Sequence, residues 1–323
     1  MPVAPAGPRR VRPCRSLLRI PADRDGAFPA ARRSAADAVV FDLAAPETPE
    51  DRRDQARRLA IDGMADLDWT GKSLAMRTHG FGSHGFHADI AELLRRGADR
   101  IDRLIVPGVE TVDQLRTLTR ILHTAAPAAL ELQLDTPLGF ANAGPLAAAL
   151  GTGRALHGLH PPYPLAPPWP EDRAEDRDDA VGRRGLRGWR EAWRCVLSQS
   201  ARCPAAQGVR LIDSQPDDAT DADGFAAAAT ALAALGYQGK WIDDPVRASL
   251  CNRAFTPTRE AVDAARAVLA ACVAADRDGL PAVVLDGRMV DAAAIGRAGD
   301  IVALDDTLRA APPEEPAAQR IAQ

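Results

Sequence analysis

The chain has 323 residues, of which 46% are hydrophobic and 26% are charged, and it carries a formal net charge of −4 with a pI near 5.9. This hydrophobic content supports a sizeable core, and the mild acidity gives no electrostatic argument for a nucleic-acid-binding protein. The five cysteines include no C-x-x-C pair, so neither a zinc site nor a disulfide framework is indicated.

The sequence carries no feature of a secreted or membrane-spanning protein. It shows no signal peptide of the secretory type, and no apolar run in it is long enough to cross a bilayer. We therefore expect a cytoplasmic protein whose thiols are reduced.

Apolar and alternating segments recur regularly along the chain. Eight of them are predicted as strands: 16–20, 38–43, 73–77, 103–106, 130–134, 155–159, 209–212 and 240–242. Helices are predicted between and after them at about 25–35, 50–63, 86–96, 111–124, 145–150, 189–202, 223–235 and 259–276. This alternation predicts an α/β fold, a (β/α)8 TIM barrel with a C-terminal extension. The alternative is a doubly wound open sheet, but no Gly-x-Gly-x-x-Gly or P-loop motif supports a nucleotide-binding version of it.

The same pattern predicts how the chain is divided. Residues 1–13, rich in Pro, Arg and Ala, are predicted to be disordered, and the barrel is predicted to cover residues 14–278. Residues 161–185 are dense in proline and then in charge, which predicts a long surface loop or lid inserted into the barrel. A C-terminal arm and helix are predicted for 279–310, followed by a disordered tail at 311–323.

The predicted strand 130–134 ends at Asp135, Thr136 and Pro137. A TIM barrel places its reacting groups at the carboxyl ends of its strands, so Asp135 is the first candidate site residue. Its carboxylate could instead bond the backbone N–H groups of the turn that follows.

Several stretches, in this order and spacing, resemble one family over nearly the whole chain. It is the citrate lyase β-subunit-like family, also called the HpcH/HpaI aldolase group, and the malyl-CoA lyase branch is the most similar. The stretches are Arg-Ser-Leu-Leu at 15–18 with Ile-Pro at 20–21, and residues 66–72, 135–139, 236–241, 255–257 and 285–291.

The resemblance implies a TIM barrel that forms trimers or hexamers and acts on CoA thioesters of 3-hydroxy acids with Mg²⁺, or with Mn²⁺ or another divalent ion. It implies that Arg77 clamps the carboxylate of a 2-oxo acid, which suits the planar fork of a guanidinium. Asp135 stands where the family has a metal-binding Glu. Asp291 corresponds to the family's catalytic carboxylate, which enters the neighbouring subunit's site, although it could also cap the helix that follows. Arg15 and Thr136 are implied to contact the substrate or its CoA moiety.

The sequence departs from the family at the metal site. Ala44 and Ala45 replace two acids that order the metal's waters, and Pro162 stands where a second metal-binding Asp is usual. The usual Pro-Lys after the fourth strand is Pro-Gly at 107–108. Loss of groups around a metal's direct ligands typically costs ~10–100-fold in affinity, so we expect a weakened Mg²⁺ site.

Two replacements for the missing ligands are conceivable. His157 and His160 could offer ring nitrogens, which suit Zn²⁺ or another transition metal better than Mg²⁺. Asp243 and Asp244, where the family has Ile-His-Pro after the eighth strand, could offer carboxylates. Ordinary hydrogen bonding and solvation are the alternatives for all four residues.

The function expected from the resemblance is that of a CoA-ester lyase. Such an enzyme performs aldol-type cleavage or condensation between a 3-hydroxyacyl-CoA and a 2-oxo acid. Two alternatives remain: a catalytically impaired relative that acts as a binding or oligomer-partner subunit, and a CoA thioesterase of the same branch. No membrane or nucleic-acid partner is expected.

Overall fold

The computed structural model describes residues 14–97, 100–122, 129–158, 207–214, 222–278, 283–285 and 287–310. The predicted disordered ends, the predicted lid at 161–185 and the predicted helix at 189–202 lie outside these residues. The chain divides into two compact units, Cys14–Ala254 and the residues from Phe255 onward. This division comes earlier than residue 278, where the sequence placed the end of the barrel.

The first unit is a closed barrel of eight parallel strands that pair in sequence order, with the last strand hydrogen-bonded to the first. The predicted TIM barrel is therefore confirmed, and the open-sheet alternative is wrong. Each predicted strand overlaps an observed one. The strands are β1 (Ser16–Pro21), β2 (Ala38–Asp42), β3 (Ser73–Arg77), β4 (Arg103–Pro107), β5 (Ala129–Gln133), β6 (Ala155–His157), β7 (Arg210–Asp213) and β8 (Gly239–Ile242).

Helices follow most of the strands in this unit. They are α1 (Phe28–Arg33), α2 (Arg53–Asp66), α3 (His84–Arg96), α4 (Val112–Leu122), α5 (Pro137–Ala141), α6 (Ala143–Leu150), α7 (Ala222–Ala234) and α8 (Ala248–Ala254). The sequence did not predict α5 and α8, because helices of 5 and 7 residues are too short for a reliable periodicity. Within the described chain, no helix combines the length and apolar character needed to cross a membrane.

The alternation of side chains along each strand decides what faces the inside of the barrel. Leu17, Ile105 and Ile212 come from β1, β4 and β7, yet they belong to one buried cluster. Strands that are not neighbours can share a cluster only across the interior, so these side chains point inward. Residues two positions further along, such as Arg19 and Ser214, then also point inward, at the carboxyl ends of the strands. We call this end of the barrel the mouth.

A charged network fills part of the interior below the mouth. The buried carboxylate of Glu131 accepts hydrogen bonds from Arg103 at 2.7 Å and Arg210 at 2.8 Å, and its second oxygen lies 2.8 Å from Nε2 of His157. Nε1 of Trp241 lies 3.1 Å from Nδ1 of the same imidazole. An indole N–H can only donate, so Nδ1 accepts and the Nε2–H donates to Glu131. The contacts therefore define a neutral imidazole in a single tautomer.

The pKa values of the two titratable groups at the centre of this network, His157 and Glu131, are both lowered. Burial lowers the pKa of His157, and this effect outweighs the neighbouring carboxylate. Burial alone would raise the pKa of Glu131, but Arg103, His157 and Arg210 hold it well below its ordinary value. The interior is therefore organised around an ionised carboxylate and an uncharged imidazole.

The second unit contains two helices and a hairpin: α9 (Arg259–Arg277), β9 (Val283–Leu285), β10 (Arg288–Val290) and α10 (Ala292–Ala310). α10 ends at Ala310, where the sequence places the end of the C-terminal arm and helix. β9 and β10 pair antiparallel, with Met289 opposite Val284. These two side chains are 75% and 63% exposed, so the hairpin presents an apolar surface to solvent.

The neutral state of His157 predicts a pH dependence of stability. The folded-state pKa lies below the unfolded value, so the unfolded chain binds more protons as pH falls, and stability decreases. Between pH 7.5 and 5.5 the loss is expected to be at most about 1.4 kcal/mol, the value for an imidazole that stays neutral in the folded state and has an unfolded pKa of about 6.5. Denaturant unfolding across this range measures it. His157→Gln, which keeps a donor for Glu131 and an acceptor for Trp241, is expected to flatten the slope. An equal slope in this variant would show that another group is responsible.

Candidate active site

A chain of hydrogen-bonded side chains runs around the inside of the mouth. Its members stand near, at or just beyond the carboxyl ends of six strands, and each bonds to the next. In order they are Asp243, Arg19, Asp42, Arg77, Gln133 and Ser214. We call this set the mouth chain. It contains Arg77, which the sequence analysis assigned to the site, and Asp243, which it considered as a replacement metal ligand.

Asp42 is the centre of the mouth chain and is fully buried. One carboxylate oxygen accepts from Nη1 of Arg77 at 2.9 Å, and the other accepts from Nη1 of Arg19 at 3.2 Å. The backbone N–H of Ala44 adds a third bond at 3.1 Å. A buried charge is tolerated when it is paired and hydrogen-bonded in this way. Asp42 thus joins β1 to β3 and fixes one side of the Arg77 guanidinium.

Arg77 is held on two sides and offers the third to a ligand. Its Nη1 also donates to the carbonyl of Ala44 at 3.2 Å, and its Nε donates to Oε1 of Gln133 at 2.6 Å. The side chain is 16% exposed. A guanidinium has five N–H donors, and these bonds use Nε and Nη1. The two Nη2 hydrogens are therefore the donors that the described residues leave for a carboxylate.

Asp135 lies beyond the end of β5, as the sequence predicts, and it bonds across to β4. Its Oδ1 accepts from the backbone N–H of Gly108 at 2.9 Å. Gly108 has a φ of +75°, and a Cβ there would come within 3.3 Å of the backbone nitrogen of Phe81. A lysine at 108, as in the resembled family, would be strained in this conformation. The glycine at position 108, where the family has lysine, is thus part of the local geometry that holds Asp135.

The alternative role of Asp135 as a turn cap is wrong. Thr136 is the N-cap of α5, because its hydroxyl accepts from the backbone N–H of Gly139 at 3.0 Å. Among the described residues, Oδ2 of Asp135 has no hydrogen-bond partner, so this oxygen is left for another ligand. The substrate-contacting role of Thr136 stays a prediction, and the hydroxyl hydrogen is the donor it could use.

Arg15 is not brought together with Arg77 and Asp135. It precedes β1, so it lies at the amino ends of the parallel strands, opposite the mouth. Its Nε and Nη2 donate to the two carboxylate oxygens of Asp37 at 2.9 and 2.8 Å, and its backbone N–H donates to the same group at 2.8 Å. This bidentate pair joins the beginnings of β1 and β2. The assignment of Arg15 to the substrate pocket therefore conflicts with its position, whereas a structural role explains its contacts.

Asp291 belongs to the second unit. It is exposed, and its Oδ1 accepts from the backbone N–H of Ala294 at 2.6 Å at the start of α10. The capping role considered for it is confirmed. Its catalytic role stays a prediction, since a capping carboxylate keeps a second oxygen for other chemistry.

The residues considered as replacement metal ligands have other partners. Both ring nitrogens of His157 are hydrogen-bonded in the interior network, and His160 lies outside the described residues. Asp243 accepts from Nε of Arg19 at 2.7 Å, and Asp244 accepts from the backbone N–H of Val246 at 2.9 Å. The replacement hypotheses are therefore not supported by these contacts.

Arg19 pairs with a third carboxylate at the mouth. Oε1 of Glu47 accepts from Nη2 of Arg19 at 3.1 Å, and this bond lowers the pKa of Glu47. The acids near Arg19 are thus each paired with an internal cation. In the described part of the chain, no three His, Cys, Asp or Glu side chains are arranged to hold a metal ion.

The carboxylate ligands available at the mouth fit a weakly bound Mg²⁺ ion. Mg²⁺ commonly binds through one or two carboxylates, with waters and ligand oxygens completing its shell. Among the described residues, Asp135 provides one such carboxylate. The site therefore fits an ion that is held weakly by the protein and completed by the substrate, and it does not fit a tight site made of protein ligands alone.

Sequence reasoning missed Asp42, Gln133 and Arg19. A usable signal was present, since each stands two positions beyond an inward-facing strand residue. The contacts that these residues make form only in the closed barrel, so the sequence alone could not show them.

Comparisons with known proteins agree with this architecture. Residues 15–139 match the family model HpcH/HpaI aldolase/citrate lyase. An L-malyl-CoA/β-methylmalyl-CoA lyase of Rhodobacter capsulatus is 30% identical over 321 residues, covering 92% of this chain and 96% of that protein. A (3S)-malyl-CoA thioesterase of Cereibacter sphaeroides is 26% identical, covering 86% and 90%.

The solved structures that resemble this chain share its fold. CitE from Mycobacterium tuberculosis, crystallised with magnesium, acetoacetate and coenzyme A, has a TM-score of 0.62 and 24% identity, covering 92% of this chain and 99% of that one. At this identity the likeness is one of fold. Together with the 30% identical relative, which matches almost end to end, it leads to one conclusion. The chain belongs to the HpcH/HpaI aldolase/citrate lyase family.

Proposed function

We propose that this protein is a CoA-ester lyase that cleaves or forms a carbon–carbon bond between a 2-oxo acid and an acyl-CoA. The observation that carries the proposal is Arg77 at the barrel mouth, held by Asp42 and Gln133 so that Nη2 is left for a carboxylate. The 30% identical malyl-CoA lyase makes L-malyl-CoA the first substrate to test.

The proposed reaction is a retro-aldol cleavage. In malyl-CoA the bond between the hydroxyl-bearing carbon and the adjacent methylene breaks, and the hydroxyl proton is lost. The electron pair passes into the thioester as an enolate, which then takes a proton on carbon. The products are glyoxylate and acetyl-CoA, and condensation is the reverse. The protein must hold a carboxylate and supply an acid or base at the enolate carbon.

Arg77 would hold the carboxylate of the 2-oxo acid through Nη2. Its other donors are already used by Asp42, Ala44 and Gln133, so the guanidinium is oriented before the ligand arrives. This orientation lowers the entropic cost of binding, because the side chain does not have to be ordered by the ligand.

Asp135 would hold the divalent ion, together with oxygens of the bound acid. When bound, the ion would act as a Lewis acid on the oxo oxygen. The Gly108 N–H fixes the position of the carboxylate and takes one of its oxygens. We therefore expect the ion and the 2-oxo acid to bind with positive coupling, since each supplies part of the other's site.

Asp291 would be the acid or base, delivered by a neighbouring subunit of a homo-oligomer, either a trimer or a hexamer. The exposed Val284 and Met289 side chains on the nearby hairpin support a contact surface there, because paired exposed apolar groups mark interaction sites. A cytoplasmic location is part of the proposal. The cysteines that the structure describes all carry free thiols, which supports a reducing compartment.

The first prediction from the proposed function concerns lyase activity. With L-malyl-CoA and Mg²⁺ or Mn²⁺, the protein is expected to release glyoxylate and acetyl-CoA. Arg77→Lys keeps a charge for Asp42 but loses the fork, so kcat/KM should fall by about 100-fold. Coupled assays for both products, with the exposed Arg116→Lys as control, measure this.

The products distinguish the alternatives. Free CoA and malate without glyoxylate would identify a thioesterase, a function suggested by the 26% identical relative. Absence of both reactions at high metal concentration would favour a non-catalytic partner subunit.

The second prediction concerns the metal. Mn²⁺ alone is expected to bind weakly, with a dissociation constant on the order of 1 mM, because one protein carboxylate is a small ligand set. Oxalate, which offers the oxygens of a 2-oxo acid, should tighten Mn²⁺ binding by about tenfold or more. Electron paramagnetic resonance of free Mn²⁺ measures both values. Asp135→Asn should abolish the coupling, and the exposed Asp113→Asn should not. Tight Mn²⁺ binding without oxalate would contradict the single-carboxylate site.

The third prediction concerns Asp291. If this residue acts in a neighbour's site, oligomers mixed from Asp291→Asn and Arg77→Lys subunits contain some sites with both native residues. A random equal mixture should then regain about a quarter of the wild-type activity. Asn also caps helices well, so the start of α10 should be preserved. No regain after verified subunit exchange would place Asp291 in its own subunit's site or outside catalysis.

A further inference from the structure

The side chain of Gln133 lies between Arg77 and Ser214 at the mouth. Its Oε1 accepts from Nε of Arg77 at 2.6 Å, and its Nε2 lies 3.5 Å from the hydroxyl oxygen of Ser214. A guanidinium can only donate, so the atom that faces Arg77 must be the amide oxygen. The amide orientation is thus determined by chemistry, and the NH₂ group points toward β7.

Among the described residues, the hydrogen bonds of Arg77 leave its Nη2 group for a ligand. A carboxylate can bind a guanidinium across Nε and Nη2 or across Nη1 and Nη2. Nε is occupied by Gln133, and Nη1 by Asp42 and the Ala44 carbonyl. The incoming acid therefore meets the two hydrogens of Nη2.

The uncharged amide also preserves the charge of Arg77. Its ion-pair partner among the described residues is Asp42, which is shared with Arg19. Arg19 has Asp243 and Glu47 as further ion-pair partners, whereas Arg77 has the single carboxylate of Asp42 among the described residues, so its Nη2 group is not bonded to a carboxylate. A second carboxylate at position 133 would weaken the attraction of Arg77 for an anionic ligand, since charges a few ångströms apart interact strongly at a partly buried site.

We propose that Gln133 is a positioning residue for Arg77 that restricts 2-oxo acid binding to Nη2 and keeps a second carboxylate away from the guanidinium. The proposal rests on the proposed function, because it assumes that Arg77 binds the acid. Gln133 does not touch the reacting atoms. Its effect is on ground-state and transition-state binding alike, and it should appear in KM rather than in kcat.

The test uses oxalate as the probe, with Mg²⁺ present, in the full-length protein. Gln133→Met keeps the volume but removes the acceptor, and it should weaken oxalate binding by about tenfold in calorimetry. Gln133→Glu keeps the acceptor but adds a charge, and it should weaken binding by roughly 30-fold or more. Gln238→Met, on an exposed residue before β8, is the matched control and should bind like wild type.

Two further measurements separate positioning from a structural effect. Thermal melting of Gln133→Met should stay within about 3 °C of wild type, because the variant loses only the bond to Arg77 and the long bond to Ser214 at a partly exposed side chain. In the condensation of glyoxylate with acetyl-CoA, KM for glyoxylate should rise about tenfold with kcat nearly unchanged.

The outcomes also separate this proposal from the lyase function. If wild type cleaves malyl-CoA and Gln133→Met binds oxalate and glyoxylate as wild type does, the positioning role is overturned and the lyase stands. A fall in kcat with unchanged KM would also overturn it. If wild type neither binds oxalate nor cleaves malyl-CoA, both proposals fail together.

Discussion

The mouth of this barrel depends on one buried carboxylate that is shared by two guanidinium groups. Asp42 cannot be removed from water without partners, and Arg19 and Arg77 provide them from the strands on either side. The same contacts orient the Arg77 guanidinium, which we propose binds the 2-oxo acid. Under that proposal, stability and recognition depend on the same ion pairs.

The barrel keeps the architecture of its family while its mouth uses a different balance of charges. The family resemblance implied acids at positions 44 and 45 around a divalent ion, and alanines stand there instead. The carbonyl of Ala44 now accepts from Arg77, and the acids that remain near Arg19 are hydrogen-bonded to it. In the proposed function, recognition of the anion depends mainly on Arg77, and a weakly held ion is completed by the substrate.

The two ends of the barrel have different tasks. At the amino ends, Arg15 and Asp37 join β1 to β2, and the network around Glu131 fills the interior with paired charges. At the carboxyl ends, the described residues leave the Nη2 donors of Arg77 and the Oδ2 acceptor of Asp135 for a ligand. An arginine at the first end is therefore a poor candidate for substrate contact, however close it is to a family motif in the sequence.

The sequence by itself determined the strand and helix order, and with it the closed barrel, because the rhythm of apolar segments reflects burial on both faces of each strand. It also placed Arg77 and Asp135 at strand ends, where the fold collects its functional groups. It could not determine their partners. The contacts of Asp42 and Gln133 with Arg77 join residues 35 and 56 positions apart, and only closure of the barrel brings them together. For the same reason Arg15, one residue before a strand rather than at its end, was assigned to the wrong face: its position depends on strand direction in three dimensions, which a motif does not contain.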